Sequence, residues 1–69
     1  MSAQVARVTQ AIAESPVSFA DALQVGFKRA AATLRGITGL QVLEQRVSVK
    51  DNKIVAYRVK FDVIFLLED

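Results

Sequence analysis

The sequence has no cysteine and no histidine among its 69 residues. Disulfide bridges are therefore excluded, and the usual ligands of structural zinc are missing. A chain of this length folds as one domain that buries only about 60% of the surface its unfolded form exposes. Small cores are commonly stabilised by disulfides, metals or self-association, and of these three self-association remains for this chain. We expect a single domain, residues 1–69, that oligomerises, and the hydrophobic fraction of 52% agrees.

Aromatic residues and clustered charges are also scarce. The chain has four phenylalanines and one tyrosine, and its nine basic and seven acidic residues are dispersed, with a net charge of +2. A nucleic-acid surface would need clustered Lys and Arg, ideally with exposed aromatic rings. No apolar run approaches the roughly 18 residues of a membrane span, and no signal-peptide pattern opens the chain. We expect no nucleic-acid partner, no membrane partner and a cytoplasmic location.

The missing residue types also leave little for catalysis. Without Cys or His, a nucleophile and its base would have to be Ser, Lys or a carboxylate. Ser15 and Ser18 are explained by a turn and a helix cap, and Ser48 is explained by a strand. We therefore predict that the protein is not an enzyme and has no catalytic residues.

A helix over residues 18–35 is the clearest local pattern. Ser18 and Asp21 suit its N-terminus, and Arg35 and Gly36 suit its C-terminus. Gly26 is expected on the side facing the sheet, where it permits close packing. The apolar residues that recur at helical spacing and form the expected core stripe are Phe19, Ala22, Leu23, Phe27, Ala30, Ala31 and Leu34.

Three other segments have the alternation of β-strands: residues 4–13, 40–50 and 54–69. The polar residues 51–53 form a tight turn, so the last two strands pair as a hairpin. One face of the last strand is apolar and consists of Val55, Tyr57, Val59, Phe61, Val63, Phe65 and Leu67.

The order of the elements is therefore β-α-β-β, in the α+β class. The last strand has the longest apolar face and belongs in the middle, which gives a three-stranded antiparallel sheet of order 1-3-2 wrapped on one helix. We expect Phe61 of this strand to meet Phe27 of the helix. On the opposite sheet face of a monomer, Ile64 and Leu66 would be exposed to solvent next to charged residues. This again indicates subunit contacts or a ligand.

The chain resembles a known family over residues 5–69. The segments SPVSFADALQVGFKRAAATLRGITGLQVLEQRVSV and VAYRVKFDVIFLLED are similar to the dodecins, small β-α-β-β proteins. The matching pieces are SPxSxxDA at the helix start, RAxxTLR at its end and a VxFxLED-like C-terminus. The resemblance implies a hollow homododecamer that stores small ligands, chiefly flavins, between paired subunits and does not catalyse a reaction.

The resemblance also implies that two flavin contacts are missing. Flavin-binding dodecins carry a tryptophan at the position of Gly39, which stacks on the isoalloxazine ring, and a glutamine at that of Arg58, which bonds the ring edge. The ligand-binding residues implied here are Gly39, Gln41, Glu44 and Arg58. Binding of riboflavin or FMN is expected to be weakened, because an aromatic anchor is worth about 2 kcal/mol, roughly thirtyfold in affinity.

The resemblance also implies calcium as a second candidate ligand. Calcium dodecins also lack the tryptophan and carry arginine at the position of Arg58, within a similar YRxK segment. The oxygen ligands available for a hard cation are Glu44, Asp62, Glu68 and Asp69. Since calcium takes about six to eight oxygens and no loop of this chain supplies them, any site would be assembled across subunits. The sequence identifies no metal ligand.

Arg58 and Glu44 each have two interpretations. The guanidinium of Arg58 either binds a carboxylate or phosphate, or pairs with Glu44 or Asp62 of another subunit. Glu44 either meets a ligand hydroxyl or is a solvated or paired strand residue. Two functions follow: a shell that stores a small molecule or an ion, or a purely structural assembly or protein-binding module.

Overall fold

A computed structural model describes residues 3–67 of the chain. The elements are β1 (Ala6–Ser15), α1 (Phe19–Ala31), β2 (Ile37–Lys50) and β3 (Lys53–Leu66). The sheet order is β1-β3-β2, and β3 pairs antiparallel with both neighbours. The predicted β-α-β-β order and the central position of the last strand are confirmed.

The connection from β1 to α1 is held by two serines. The Ser15 side chain is buried, donates a hydrogen bond to the Asp21 carboxylate and accepts one from the Val17 amide at 3.0 Å. Ser18 is the N-cap of α1, and its hydroxyl accepts the Asp21 amide at 2.9 Å. Pro16, which has no amide hydrogen, follows directly after the strand. Both serines thus have the structural roles that the sequence predicts.

The core lies between α1 and the helix-facing side of the sheet. Phe61 is fully buried, which confirms the face assigned to β3. The helix residue over its ring is Gly26, because a Cβ added there would lie 2.5 Å from the Phe61 ring tip. Phe27 is 40% exposed and lies outside the buried core, so Gly26 and not Phe27 occupies the position over the ring. The helix approaches the sheet through its smallest residue, and the large ring fills the space left. The buried apolar residues are Ala13, Ala22, Val59, Phe61 and Val63.

Changing Gly26 to alanine is therefore expected to destabilise the fold. Overpacking a core costs about 1–3 kcal/mol, which outweighs the helix-propensity gain of about 1 kcal/mol from replacing glycine by alanine. Thermal unfolding should show a lower melting temperature. The control is the pair Gln24→Ala and Gln24→Gly at an exposed position inside α1, because their difference measures helix propensity. A more stable Gly26→Ala variant would contradict the close approach to Phe61.

The end of α1 differs from the prediction. The helix stops at Ala31 with Ala32 as its C-cap, and the basic residues of its last turn are Lys28 and Arg29. Arg35 and Gly36 therefore lie beyond the helix. Gly36 has a φ of 73°, and its carbonyl accepts the Leu66 amide at 3.0 Å. This glycine is needed where the chain enters the sheet, because the left-handed conformation disfavours other residues.

The hairpin is longer than predicted. β2 begins at Ile37, so Gly39 lies inside the strand. Asp51 and Asn52, with φ values of 54° and 62°, form the two-residue turn between Lys50 and Lys53. Positive φ at both central positions matches the type I′ turn, which favours Asn and Asp.

No helix in residues 3–67 is long and apolar enough to cross a membrane.

Candidate functional site

The sheet face turned away from α1, here called the outer face, is covered by no other element of residues 3–67. Ile64 and Leu66 are half-buried on it rather than bare, because β1 residues flank them in the sheet: Val8 lies opposite Ile64, and Ala6 lies opposite Leu66. The register places on this face Val8, Gln10, Ile12 and Glu14 of β1, Gly39, Gln41, Glu44 and Arg46 of β2, and Arg58, Lys60, Asp62 and Ile64 of β3. All four predicted ligand-binding residues are among them.

Gly39 is a glycine that the fold of the chain does not require. It lies opposite Ile64 in the sheet, and its φ is outside the left-handed region. A Cβ added at this position would meet only the Ile64 Cδ1 atom, at an ordinary contact distance of 3.8 Å. A side chain could therefore stand here without strain, and the glycine leaves the outer face without a large group at this point.

A bulge brings Gln41 and Glu44 onto the same face. Gln41 lies opposite Asp62 and Glu44 opposite Lys60, with a register shift between Val42 and Glu44. Residues three apart on a regular strand would point to opposite faces, so the extra residue corrects the alternation. Sequence reasoning missed the bulge, and the adjacent apolar pair Val42-Leu43 was the available signal.

Arg58 is engaged within its own chain. Its Nη2 and Nε atoms donate to one carboxylate oxygen of Glu14, at 2.9 and 3.2 Å. Within the chain, the partner of Arg58 is thus its cross-strand neighbour on β1. The pairs with Glu44 or Asp62 of another subunit stay predictions, because they would form between copies. The Arg58 and Glu14 side chains are both 47% exposed, so their pair contributes about 0–1 kcal/mol at most. Glu14 was not predicted, although an antiparallel register between β1 and β3 brings it within reach.

Arg46 is a second arginine that sequence reasoning missed. It lies directly opposite Arg58, and its Nη2 atom is 3.3 Å from the Glu44 carboxylate. Like charges on facing strand positions repel each other. The two glutamates flank this arginine pair and neutralise it. Within the chain, Glu44 is therefore a paired strand residue.

Gly39 and Arg58 are far apart on one chain. Gly39 lies opposite Ile64, which is six residues from Arg58 along β3. At about 3.3 Å per residue, the separation is roughly 20 Å. One small ring system cannot touch both positions of the same copy. A site that uses both residues has to combine two copies of the chain.

The candidate cation ligands are not brought together within one chain. Asp62 accepts a hydrogen bond from Gln10 at 3.3 Å, and Glu44 is paired with Arg46. Glu68 and Asp69 lie outside the described residues. Within residues 3–67, no group of three acidic, histidine or cysteine side chains could hold a metal ion.

The fold and this face define a class of small α+β domains, in which one helix covers one side of a three-stranded sheet and the other side is open. The family model described as Dodecin matches residues 5–68, and the chain belongs to the dodecin family.

Solved structures of dodecins superpose closely on the chain. The dodecin of Streptomyces coelicolor is 29% identical, with a TM-score of 0.93 and coverage of 100% of this chain and 99% of that one. The dodecin of Streptomyces davaonensis is 31% identical, with a TM-score of 0.92 and coverage of 99% and 100%. A calcium dodecin of Mycobacterium tuberculosis is 30% identical, with a TM-score of 0.81 and coverage of 93% and 91%. None of the curated proteins matches the chain.

Proposed function

We propose that this protein is a non-catalytic homododecamer, a shell of single-domain subunits that binds and stores a small ligand on the outer face. The observation that carries the proposal is the position of Gly39 and Arg58. Both lie on the one sheet face left open, yet about 20 Å apart on a single chain. A site containing both must form where outer faces of two copies meet.

The distribution of apolar residues supports self-association. The buried core is thin, and large apolar side chains stay exposed along the protruding hairpin, among them Val49 at 62%, Ile54 at 54% and Val55 at 46%. Isolated exposed apolar residues are common on monomers, but a group of them on one element of a small domain marks a contact surface. Further copies of the chain would cover this surface.

The residues present do not fit a flavin in the usual pose of the family. Gly39 offers no ring to stack on, and the Arg58 guanidinium is held by Glu14 instead of presenting a neutral amide. Riboflavin or FMN would therefore bind weakly, and another small ligand is the better candidate for storage. Gln41 and Glu44 remain as groups that could bond ligand hydroxyls.

A calcium-binding assembly is the second candidate. It is favoured by the similarity to the calcium dodecin of Mycobacterium tuberculosis, which is a calcium-chelating protein with a calcium-binding site. Since the carboxylates of residues 3–67 form no metal-binding group within one chain, calcium would need oxygens from several copies. A purely structural assembly is the remaining alternative, and it agrees with the pairing of Arg58 with Glu14 and of Glu44 with Arg46.

Native mass spectrometry tests the assembly and the ligand together. We expect a closed assembly, because the open sheet face and the exposed hairpin need partners, and the resemblance to dodecins implies twelve 7.6 kDa chains. Extra mass on the assembly would identify a stored ligand, and loss of mass on chelator treatment would favour calcium. Only monomer or dimer at micromolar concentration would contradict the proposal, and an assembly without any added mass would favour a structural role.

A further inference from the structure

Three side chains form a row across the whole sheet at one end of the outer face. Glu14 of β1, Arg58 of β3 and Arg46 of β2 occupy directly facing strand positions. Arg58 gives two hydrogen bonds to Glu14, and Arg46 gives one to Glu44 from the same strand. The row therefore has two adjacent guanidinium groups, one bonded to Glu14 at the end of the row and the other to Glu44 two residues along β2.

Two adjacent guanidinium groups on an exposed surface would ordinarily attract anions. The planar fork of arginine matches carboxylate and phosphate oxygens, often with two parallel hydrogen bonds. Here the two carboxylates hold these donors. The charged residues of the outer face are also balanced, since Arg46, Arg58 and Lys60 are matched by Glu14, Glu44 and Asp62.

We propose that Glu14 determines the charge of the ligand that the outer face accepts. By occupying Arg58, its carboxylate acts as an internal anion and makes the site select uncharged ligands over phosphorylated or carboxylated ones. A ligand phosphate would have to displace Glu14 and leave that carboxylate beside the new negative charge. The inference rests on the proposed function, because it concerns the same face, and it makes Glu14 a specificity-determining residue.

The test is the variant Glu14→Gln, which keeps the size of the side chain and removes its charge. Pyrophosphate is titrated calorimetrically at low ionic strength, and riboflavin and FMN, which share a ring and differ by a phosphate, are titrated by fluorescence. We expect Glu14→Gln to bind pyrophosphate up to about fivefold more tightly than the wild type, which corresponds to the upper limit for an exposed ion pair. The ratio of FMN to riboflavin affinity should rise by a similar factor, and both gains should shrink with added salt.

The matched control is Asp51→Asn, which makes the same change in net charge at the hairpin turn. Its φ of 54° suits asparagine, so the fold should be unaffected. The inference is overturned if both variants change anion affinity equally, or if the wild type already binds pyrophosphate as tightly as Glu14→Gln. If Glu14→Gln binds pyrophosphate more tightly than the wild type while native mass spectrometry finds no assembly, the proposed function fails and the role of Glu14 stands.

Discussion

Restoring both missing side chains is expected to raise the riboflavin affinity of this protein at least about thirtyfold. The double change Gly39→Trp with Arg58→Gln supplies an aromatic face and a neutral amide. The stack alone accounts for the gain, since an aromatic anchor is worth about 2 kcal/mol and 1.4 kcal/mol corresponds to a factor of ten. The chain tolerates a side chain at this position, because a Cβ at position 39 meets only Ile64 Cδ1, at 3.8 Å. Quenching of riboflavin fluorescence by the stacked indole would report binding.

The two single variants make this experiment a test of geometry as well. Residues about 20 Å apart with no shared partner should have additive effects, whereas contacts to one ligand couple them. Non-additive gains would therefore show that Gly39 of one copy and Arg58 of another touch the same riboflavin. A wild type that binds as tightly as the double variant would mean a different pose. A folded double variant without binding would mean that the cavity between copies has changed shape.

The second large effect is expected in the core. Changing Phe61 to alanine should lower the free energy of unfolding by about 3–5 kcal/mol, because a fully buried ring is removed and Gly26 above it cannot fill the cavity. Thermal and denaturant unfolding would measure the loss. Protein concentration has to be matched between variants, since association stabilises the folded state by mass action.

Phe27→Ala is the matched control for this variant. It removes the same ring atoms from the neighbouring helix face, where the side chain is 40% exposed. Its cost should be clearly smaller than that of Phe61→Ala when the assembly state is the same. An unchanged melting temperature for Phe61→Ala, or a larger loss for Phe27→Ala, would refute the packing described between α1 and β3.

The sequence led to four candidate residues that share one sheet face, but it did not give their contacts. Gly39, Gln41, Glu44 and Arg58 came from the resemblance to dodecins, and the register places all four on the outer face. Which groups they contact did not follow from their identity. The contact of Arg58 with Glu14 of the same chain was not among the partners expected for this arginine.

The sequence by itself determined the type and order of the elements and the faces of β3. Helical and strand periodicity are local properties, so the stripe of α1 and the alternation of β3 are visible without any neighbour. The cap at Ser18 and the hairpin turn depend on a few adjacent residues. The cap is present as expected, and the turn expected at residues 51–53 is the two-residue turn Asp51-Asn52.

Only the tertiary structure decided which residues face one another. The pairing of Glu14 with Arg58, the bulge before Glu44 and the position of Gly26 over Phe61 all depend on strand register and on where the helix crosses the sheet. These are set by contacts between residues distant in the chain, and a shift of one residue exchanges the faces of a strand. The spacing of residues within one segment does not reveal such a shift. The charge balance of the outer face therefore follows only from the strand register of the folded chain.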